Sequence, residues 1–347
     1  MIDQRVLELV MWAELSLLVL SLAVFFVHGL WLYFSDKRDA RLTAEGRQAL
    51  ARLLDGEGTQ SPADVGILRA LPRDVQTTVF LEISKNLTGG GRRELNRIAG
   101  LTGIFDRARD MCGSRRWTRR LKGARFLAQM EQSDVIITKL LRDSHPAVRA
   151  QAAEWAAAHP VPEVFDELFG LLADPETLSR FAVQDALLRM GRDAVEPLAR
   201  YLENHSGQAA AAGLHLAAAM VEPVFIPAAI SHTLDGLPEV RAAAASLLGA
   251  VGGAEAASRL VDLLDDPDPD VRAAAAFALG RMRHWPAGSR LAAVLEDSSW
   301  APRRAAALAL RSIGGPGVLL LRRAAVSPVQ RASDIALLAL DMPAAAR

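Results

Sequence analysis

The sequence predicts an all-α protein, with a single N-terminal transmembrane helix followed by an α-solenoid of helix pairs. Three observations carry that prediction. Residues 15–34 form a run of twenty without Asp, Glu, Lys or Arg. A proline–arginine–alanine motif returns about every thirty residues through the last two thirds of the chain. Apolar residues make up 51% of the composition and aromatic ones only 5%, so alanine and leucine must carry the burial. Strings rich in Val, Ile, Thr and Tyr at period two are absent, which leaves helices as the means of carrying it.

At about 1.5 Å per residue, residues 15–34 span roughly 30 Å, the thickness of a bilayer core. Trp12 precedes the run, and Trp31 and Tyr33 close it, the placement of aromatic anchors at two interfaces. A cleaved signal peptide needs a basic start and a small-residue cleavage site. Here Asp3, Glu8 and Glu14 stand against Arg5, and the run ends in bulky Leu-Trp-Leu-Tyr-Phe, which predicts an uncleaved anchor. Lys37, Arg38, Arg41, Arg47 and Arg52 follow the run. The positive-inside bias therefore predicts a single-pass protein of the inner, cytoplasmic membrane. In that orientation residues 1–14 are a short extracytoplasmic N-terminus and the rest is cytoplasmic. His28 either reaches the headgroups or serves as an intramembrane contact.

The net charge of zero hides a division. Residues 35–125 hold 19 Lys+Arg against 11 Asp+Glu, whereas residues 126–347 hold 20 against 26. The single cysteine, Cys112, allows no internal disulfide and no cysteine zinc site.

The repeat is clearest where Pro238-Glu-Val-Arg-Ala-Ala-Ala-Ala-Ser-Leu-Leu-Gly returns as Pro269-Asp-Val-Arg-Ala-Ala-Ala-Ala-Phe-Ala-Leu-Gly. Pro146-Ala-Val-Arg-Ala-Gln-Ala-Ala shows the same pattern earlier. Alignment on the arginine places equivalent positions at Arg120, Arg149, Arg180, Gln208, Arg241, Arg272, Arg303 and Arg331, at intervals of 29, 31, 28, 33, 31, 31 and 28 residues. Such a period means a solenoid. Each unit reads as two helices. The first opens on proline in four units (Pro146, Pro238, Pro269 and Pro328), because a first turn tolerates the missing N–H. The second carries leucines at helical spacing over 195–202, 257–264 and 289–295.

Residues 35–114 fit the repeat less well and read as a basic linker and degenerate helical cap, with the array over 115–347. Within this part, 74–87 predicts a helix with an apolar stripe at Val75, Val79, Ile83 and Leu87, and 94–108 predicts a second helix. Ser61-Pro62 and the glycines at 89–91 read as breaks. The last unit supplies one helix over 329–340 before residues 344–347, either as a cap or as an open edge.

The stretch Asp266-Pro-Asp-Pro-Asp-Val-Arg-Ala-Ala-Ala-Ala-Phe-Ala-Leu-Gly resembles the short HEAT repeat of about thirty residues, the type found in phycobilin lyase subunits. The resemblance covers residues 115–341. It implies a structural ladder in which the Asp before the first helix and the Arg within it tie neighbouring units together. Carried over by position, the ladder contains Arg120, Arg149, Arg180, Arg241, Arg272, Arg303 and Arg331. It pairs Asp143 with Arg149, Asp174 with Arg180, and Asp266 or Asp270 with Arg272, and Gln208 departs from it. A curved stack of helix pairs presents a long concave face made by the second helices, and such surfaces bind proteins or peptides. The array then serves as a scaffold or adaptor, an assembly or regulatory subunit of a membrane-associated enzyme, of which an envelope-polysaccharide glycosyltransferase is one example. The alternative that the resemblance offers is a bilin lyase-type enzyme subunit on the same fold.

No catalytic residue, cofactor or metal ligand is assigned. The seven histidines include no His-Glu-x-x-His pair and none of the His-Glu pairs that mark the di-iron hydroxylases of HEAT fold. No Gly-x-Ser-x-Gly elbow occurs, and the glycines at 89–91 lack the Lys-Ser/Thr ending of a phosphate loop. Residues 115–125 pack six cations and a tryptophan into eleven positions. Arg115, Arg116, Arg119, Lys122 and Arg125 are the candidates to meet anionic lipid or an acidic protein surface, or else they form a solvated face. Nucleic acid is disfavoured by the acidic array.

Overall fold

The computed structural model describes residues 4–55, 61–130 and 135–342. They are helical, with no strand among the described residues. The chain divides into two compact units, Met1–Ser133 and Asp134–Arg347. The predicted chain end at 344–347 lies outside the described residues, as do the first three residues of the predicted N-terminal segment and the side chains of Arg5, Glu8 and Trp31.

In the first unit α1 (Gln4–Leu54) is one unbroken helix of 51 residues. Its first half contains an 18-residue window of mean hydropathy 2.2, none of it buried, which by length and composition suffices to cross a membrane. Trp12 and Tyr33 are exposed near its two ends, and Lys37 Nζ lies 4.6 Å from the Tyr33 ring centroid. The second half is amphipathic and packs. Ala49, Leu50 and Leu53 are buried against α2 (Pro62–Ala70), α3 (Arg73–Ser84) and α4 (Gly89–Thr102). Gly46 allows the approach, since a Cβ there would lie 2.7 Å from Leu71 Cδ1. Arg52 donates to Asp64 at 2.5 Å, and that hydrogen bond, working against burial, holds the Asp64 carboxyl below its ordinary range.

Two local expectations are corrected here. The segment 94–108 is not one helix, because Gly103 adopts φ 69° and ends α4, and α5 (Ile104–Cys112) begins after it. The glycines at 89–91 are not the break but the first turn of α4, where N–H groups have no helical partner in any case. The unit closes with α6 (Trp117–Gln129), packed on α5. Gly123 makes that contact, since a Cβ there would lie 2.7 Å from the Ala108 carbonyl oxygen.

The second unit alternates first and second helices. They are α7 (Val135–Leu140), α8 (Pro146–Ala158), α9 (Pro162–Gly170), α10 (Thr177–Met190), α11 (Arg192–Asn204), α12 (Gly207–Met220) and α13 (Ile226–His232). The series continues as α14 (Pro238–Val251), α15 (Ala254–Asp262), α16 (Pro269–Arg281), α17 (Gly288–Val294), α18 (Trp300–Ile313), α19 (Gly315–Ala324) and α20 (Gln330–Asp341). The first helices α8, α10, α12, α14, α16, α18 and α20 stack in chain order, with buried alanines and leucines facing one another. Pro146, Pro238 and Pro269 open their helices as predicted. Pro328 does not, for α20 starts two residues beyond it. Arg311 on α18 donates to the main-chain oxygens of Ala339 and Met342, so a cation caps the C-terminal end of α20.

Candidate functional site: the arginine–aspartate ladder and its break

Five loops of the second unit place an aspartate six residues before the fourth residue of the next first helix, at Asp143, Asp174, Asp235, Asp266 and Asp297. Arg149 forks onto Asp174 at 2.7 and 3.0 Å. Arg241 forks onto Asp266 at 2.8 Å through both nitrogens, and Arg272 onto Asp297 at 2.7 and 2.9 Å. Each arginine therefore reaches the aspartate 25 residues ahead, in the following unit. With its remaining nitrogen it donates to the main-chain oxygen of the aspartate six residues behind it, as Arg149 does to Asp143 at 2.8 Å and Arg272 to Asp266 at 2.7 Å.

The predicted pairing is thus corrected. Asp143 with Arg149, Asp174 with Arg180, and Asp266 with Arg272 meet through the aspartate carbonyl and not through its carboxylate. Asp270 is exposed in the first turn of α16 and does not serve Arg272. The carboxylate is left for the neighbour because its Oδ1 also accepts the N–H two residues on, which turns it away from its own helix. Asp174 accepts from Glu176 at 2.8 Å, Asp266 from Asp268 at 2.9 Å, and Asp297 from Ser299 at 2.8 Å.

These pairs are nearly shut off from water, with side-chain exposures of 11% and 4% for Arg149 and Asp174. Burial pushes the carboxyls of Asp174, Asp266 and Asp297 up. The main-chain N–H donors and the guanidinium outweigh it, with Ser179 adding a hydroxyl at Asp174, so all three sit below the ordinary range. A carboxyl lowered in the folded state contributes stability above its unfolded pKa of about 3.9 and loses it as pH falls through the folded value. Melting of the full chain should therefore shift to lower temperature as pH drops from about 5 toward 3. Double replacement Asp266→Asn with Asp297→Asn should flatten that dependence, and thermal melts read by circular dichroism would show an unchanged slope if the ladder were not its source.

Helix starts, and not residue identity, fix the register of the repeat. The ladder slot is the fourth residue of each first helix, which is Arg149, Arg180, Arg241, Arg272 and Arg303. In α12 that residue is Ala210, and Gln208 is exposed at the second position. In α20 it is Ser333, and Arg331 stands two residues too early. Arg120 holds the corresponding place in α6 of the first unit, donating to the main-chain oxygens of Ser114 and Arg115. Arg180 donates to the Asp174 carbonyl, but the residue 25 positions ahead of it is His205. Asp235, with no arginine in α12, instead accepts from the N–H of Gly207 at 3.4 Å. Arg303 has proline at the forward position; its buried Nε has no partner, and its guanidinium carbon lies 5.8 Å from the Trp300 ring centroid.

The break at α12 adjoins two grooves of the second unit. One, of about 570 Å³, lies between α9 and α11. Another, of about 540 Å³, lies between α11 and α13. They share Asn204 and His205. The Tyr201 ring stands between Phe169 at 5.0 Å and a stacked His205 at 4.0 Å. Burial pushes the Tyr201 phenol up. Neither the grooves nor the aromatic stack was read from sequence, because each draws on residues more than thirty positions apart.

Arg115, Arg116, Arg119, Lys122 and Arg125 are all exposed on or just before α6, in the first unit. Lys122 pairs with Asp74 at 3.1 Å, and both line a groove between α3 and α6 that also contains Arg125. Arg115, Arg116, Arg119 and Arg125 form no ion pair among the described residues. No group of three or more His, Cys, Asp or Glu placed to hold a metal ion occurs among the described residues.

A search of the curated proteins finds no match to this chain. Solved structures of similar fold include human deoxyhypusine hydroxylase in complex with glycerol, 21% identical over 88% of this chain and 97% of that one, with a TM-score of 0.30. The complex of CpcE and CpcF of phycocyanin lyase from Nostoc sp. PCC7120 is 18% identical over 68% of this chain and 93% of that one, with a TM-score of 0.32. Kap95p, in a structure describing its binding to RanGDP, is 12% identical over 87% of this chain and 53% of that one, with a TM-score of 0.46. HEAT repeats match residues 133–217, 208–279 and 258–341, more than half of the chain. With its stacked helix pairs and its ladder of arginine and aspartate, this chain belongs to the HEAT repeat family.

Proposed function

We propose that the protein is a membrane-anchored HEAT-repeat adaptor that binds a protein partner and does not itself catalyse a reaction. The observation that carries this reading is α1. A fully exposed apolar window continues, without a break in the helix, into a segment packed in the core of the first unit. A helix exposed along that length in water would be a liability, and a bilayer removes it. The basic residues that follow the apolar window, Lys37, Arg38, Arg41, Arg47 and Arg52, support a cytoplasmic repeat domain at an inner membrane. Stacked repeats present long binding surfaces, which supports the binding role. The partner is a membrane-associated protein, for which this chain is an assembly or regulatory subunit. A polysaccharide glycosyltransferase of the cell envelope is an example of the class.

The test joins topology to partnership. A C-terminal reporter that fluoresces only in the cytoplasm should be active, and the full chain, cross-linked in membranes and purified in detergent, should carry a membrane-associated protein in stoichiometric amount. Removal of residues 1–35 should release a soluble helical domain. A reporter active only outside the cytoplasm would overturn the orientation, and a chain that leaves the membrane in carbonate would overturn the anchor.

A further inference from the structure

The grooves beside the ladder break lie in the most acidic part of the molecule. Between Glu154 and Asp270 the sequence holds 19 Asp+Glu against 6 Lys+Arg, whereas residues 271–347 hold 4 against 11. Of those six arginines, Arg189, Arg241 and Arg259 are already paired with Asp185, Asp266 and Asp262. The groove between α9 and α11 has an apolar wall of Phe165, Pro197 and Tyr201, with Asp166 and Asp193 also lining it. Both carboxylates are exposed and form no ion pair among the described residues, and Arg200 is the one cation lining this groove. Aromatic and proline surface next to unpaired carboxylate suits a side chain with an apolar stem and a cationic head.

We propose that this groove docks an extended segment of a protein partner that carries Lys or Arg side chains. Asp166 and Asp193 receive the cations, while the wall of Phe165, Pro197 and Tyr201 holds the aliphatic stems. The ladder break lies beside this groove, which shares Asn204 and His205 with the groove that Asp235 lines. In regular units the forward aspartate is consumed by the arginine behind it, as Asp266 is by Arg241. At α12 the pairing lapses, and Asp235, lining the neighbouring groove between α11 and α13, has His232 Nδ1 at 4.0 Å in place of a guanidinium, while the excess of Asp and Glu between Glu154 and Asp270 leaves the region a negative field. An anionic ligand such as nucleic acid is repelled by the same field. The proposal rests on the adaptor reading and gives the chemistry of its partner.

The test uses the purified full chain in detergent and two labelled dodecapeptides, one alternating Lys with Ala and the other alternating Glu with Ala, read by fluorescence anisotropy. The Lys peptide should bind, the Glu peptide should not, and the affinity should fall as salt rises. Asp166→Asn with Asp193→Asn should weaken the Lys peptide fivefold or more. Glu239→Gln with Glu255→Gln, which removes the same charge from exposed positions outside the groove, should weaken it less than twofold. Equal losses in the two double variants, or equal binding of the two peptides, would overturn the proposal. So would self-association of the wild-type chain that the Lys peptide dissolves, because the occupant is then a second copy. If a membrane partner co-purifies equally with the Asp166→Asn, Asp193→Asn variant, the groove proposal fails while the adaptor reading stands. If no partner co-purifies and the Lys peptide still binds at this site, the adaptor reading fails alone.

Discussion

Replacing Asp266 by alanine is expected to lower the unfolding free energy of the second unit by about 3–5 kcal/mol, the range for breaking a buried ion pair from one side. Asp266 is the best-connected node of the ladder. Its carboxylate takes both forks of Arg241 and the N–H of Asp268, and its carbonyl takes Arg272. Alanine retains only the carbonyl contact. The Arg241 guanidinium, with 12% of its side chain exposed, is then left buried without a counter-ion. The cost comes from that orphaned charge more than from the lost attraction. Arg241→Met combined with Asp266→Leu should accordingly recover most of the loss, since replacing both members of a buried pair by apolar groups is often neutral. Asp268→Ala, which removes only the side-chain cap of α16, should cost about 1 kcal/mol. In a stacked array each unit is held by its neighbours, so the Asp266→Ala variant should also unfold less cooperatively, with a smaller denaturant slope. Chemical denaturation followed by circular dichroism decides the matter. A loss under about 1 kcal/mol, or a double variant no better than the single one, would show that the ladder is not what couples α14 and α16.

The sequence made the fold legible to different depths, for reasons that can be traced to particular residues. The apolar run within α1 and the return of Pro-x-Val-Arg-Ala are local signals, and they predicted an all-α chain, its repeat and the first helices of most units. The second helices α11, α15 and α17 were readable from leucine spacing for the same reason. Register was not, where identity and geometry disagree. Gln208 and Arg331 drew the alignment because they are polar near the expected place, yet helix starts assign the slot to Ala210 and Ser333. With those two positions the period runs at 29, 31, 30, 31, 31, 31 and 30 residues, more regular than the one read from arginines alone. The ladder arginines were visible and their partners were misassigned, because a guanidinium has two faces and the sequence does not say which one meets a carboxylate. An aspartate six residues before and another 25 residues after Arg149, Arg241 and Arg272 would have been the signal. The grooves at Asn204 and His205 had no comparable signal, since each draws on residues more than thirty positions apart. The basic residues at 115–125 were found by composition, and they lie on or just before α6 in the first unit, not at the head of the second.

Replacing Gly249 by alanine should destabilise the second unit by about 2 kcal/mol, although alanine is favoured over glycine by about 1 kcal/mol inside a helix. Gly249 lies in α14 where the next first helix comes closest, and a Cβ there would sit 2.7 Å from the Cα of Ala278 on α16. The same contact recurs one unit on, where a Cβ on Gly280 would sit 2.7 Å from the Cα of Ala309 on α18. The obstructing atoms are the Cα and Cβ of alanine, which cannot rotate away as a longer side chain's tip can, so the helices must separate. Separation at one interface lengthens the reach of the Arg241–Asp266 pair, which ties α14 to the loop that leads into α16, and makes the steric and ionic losses additive in sign. Gly170→Ala is the opposite case. It lies at the end of α9 with φ −57° and nothing within 4 Å of the added methyl, so alanine there should be neutral or raise stability by up to about 1 kcal/mol. Thermal and denaturant melts of the two variants should therefore move in opposite directions. If Gly249→Ala proved as stable as the parent, the close approach of α14 and α16 would not be a requirement of the stack, and glycine at 249 and 280 would need another cause.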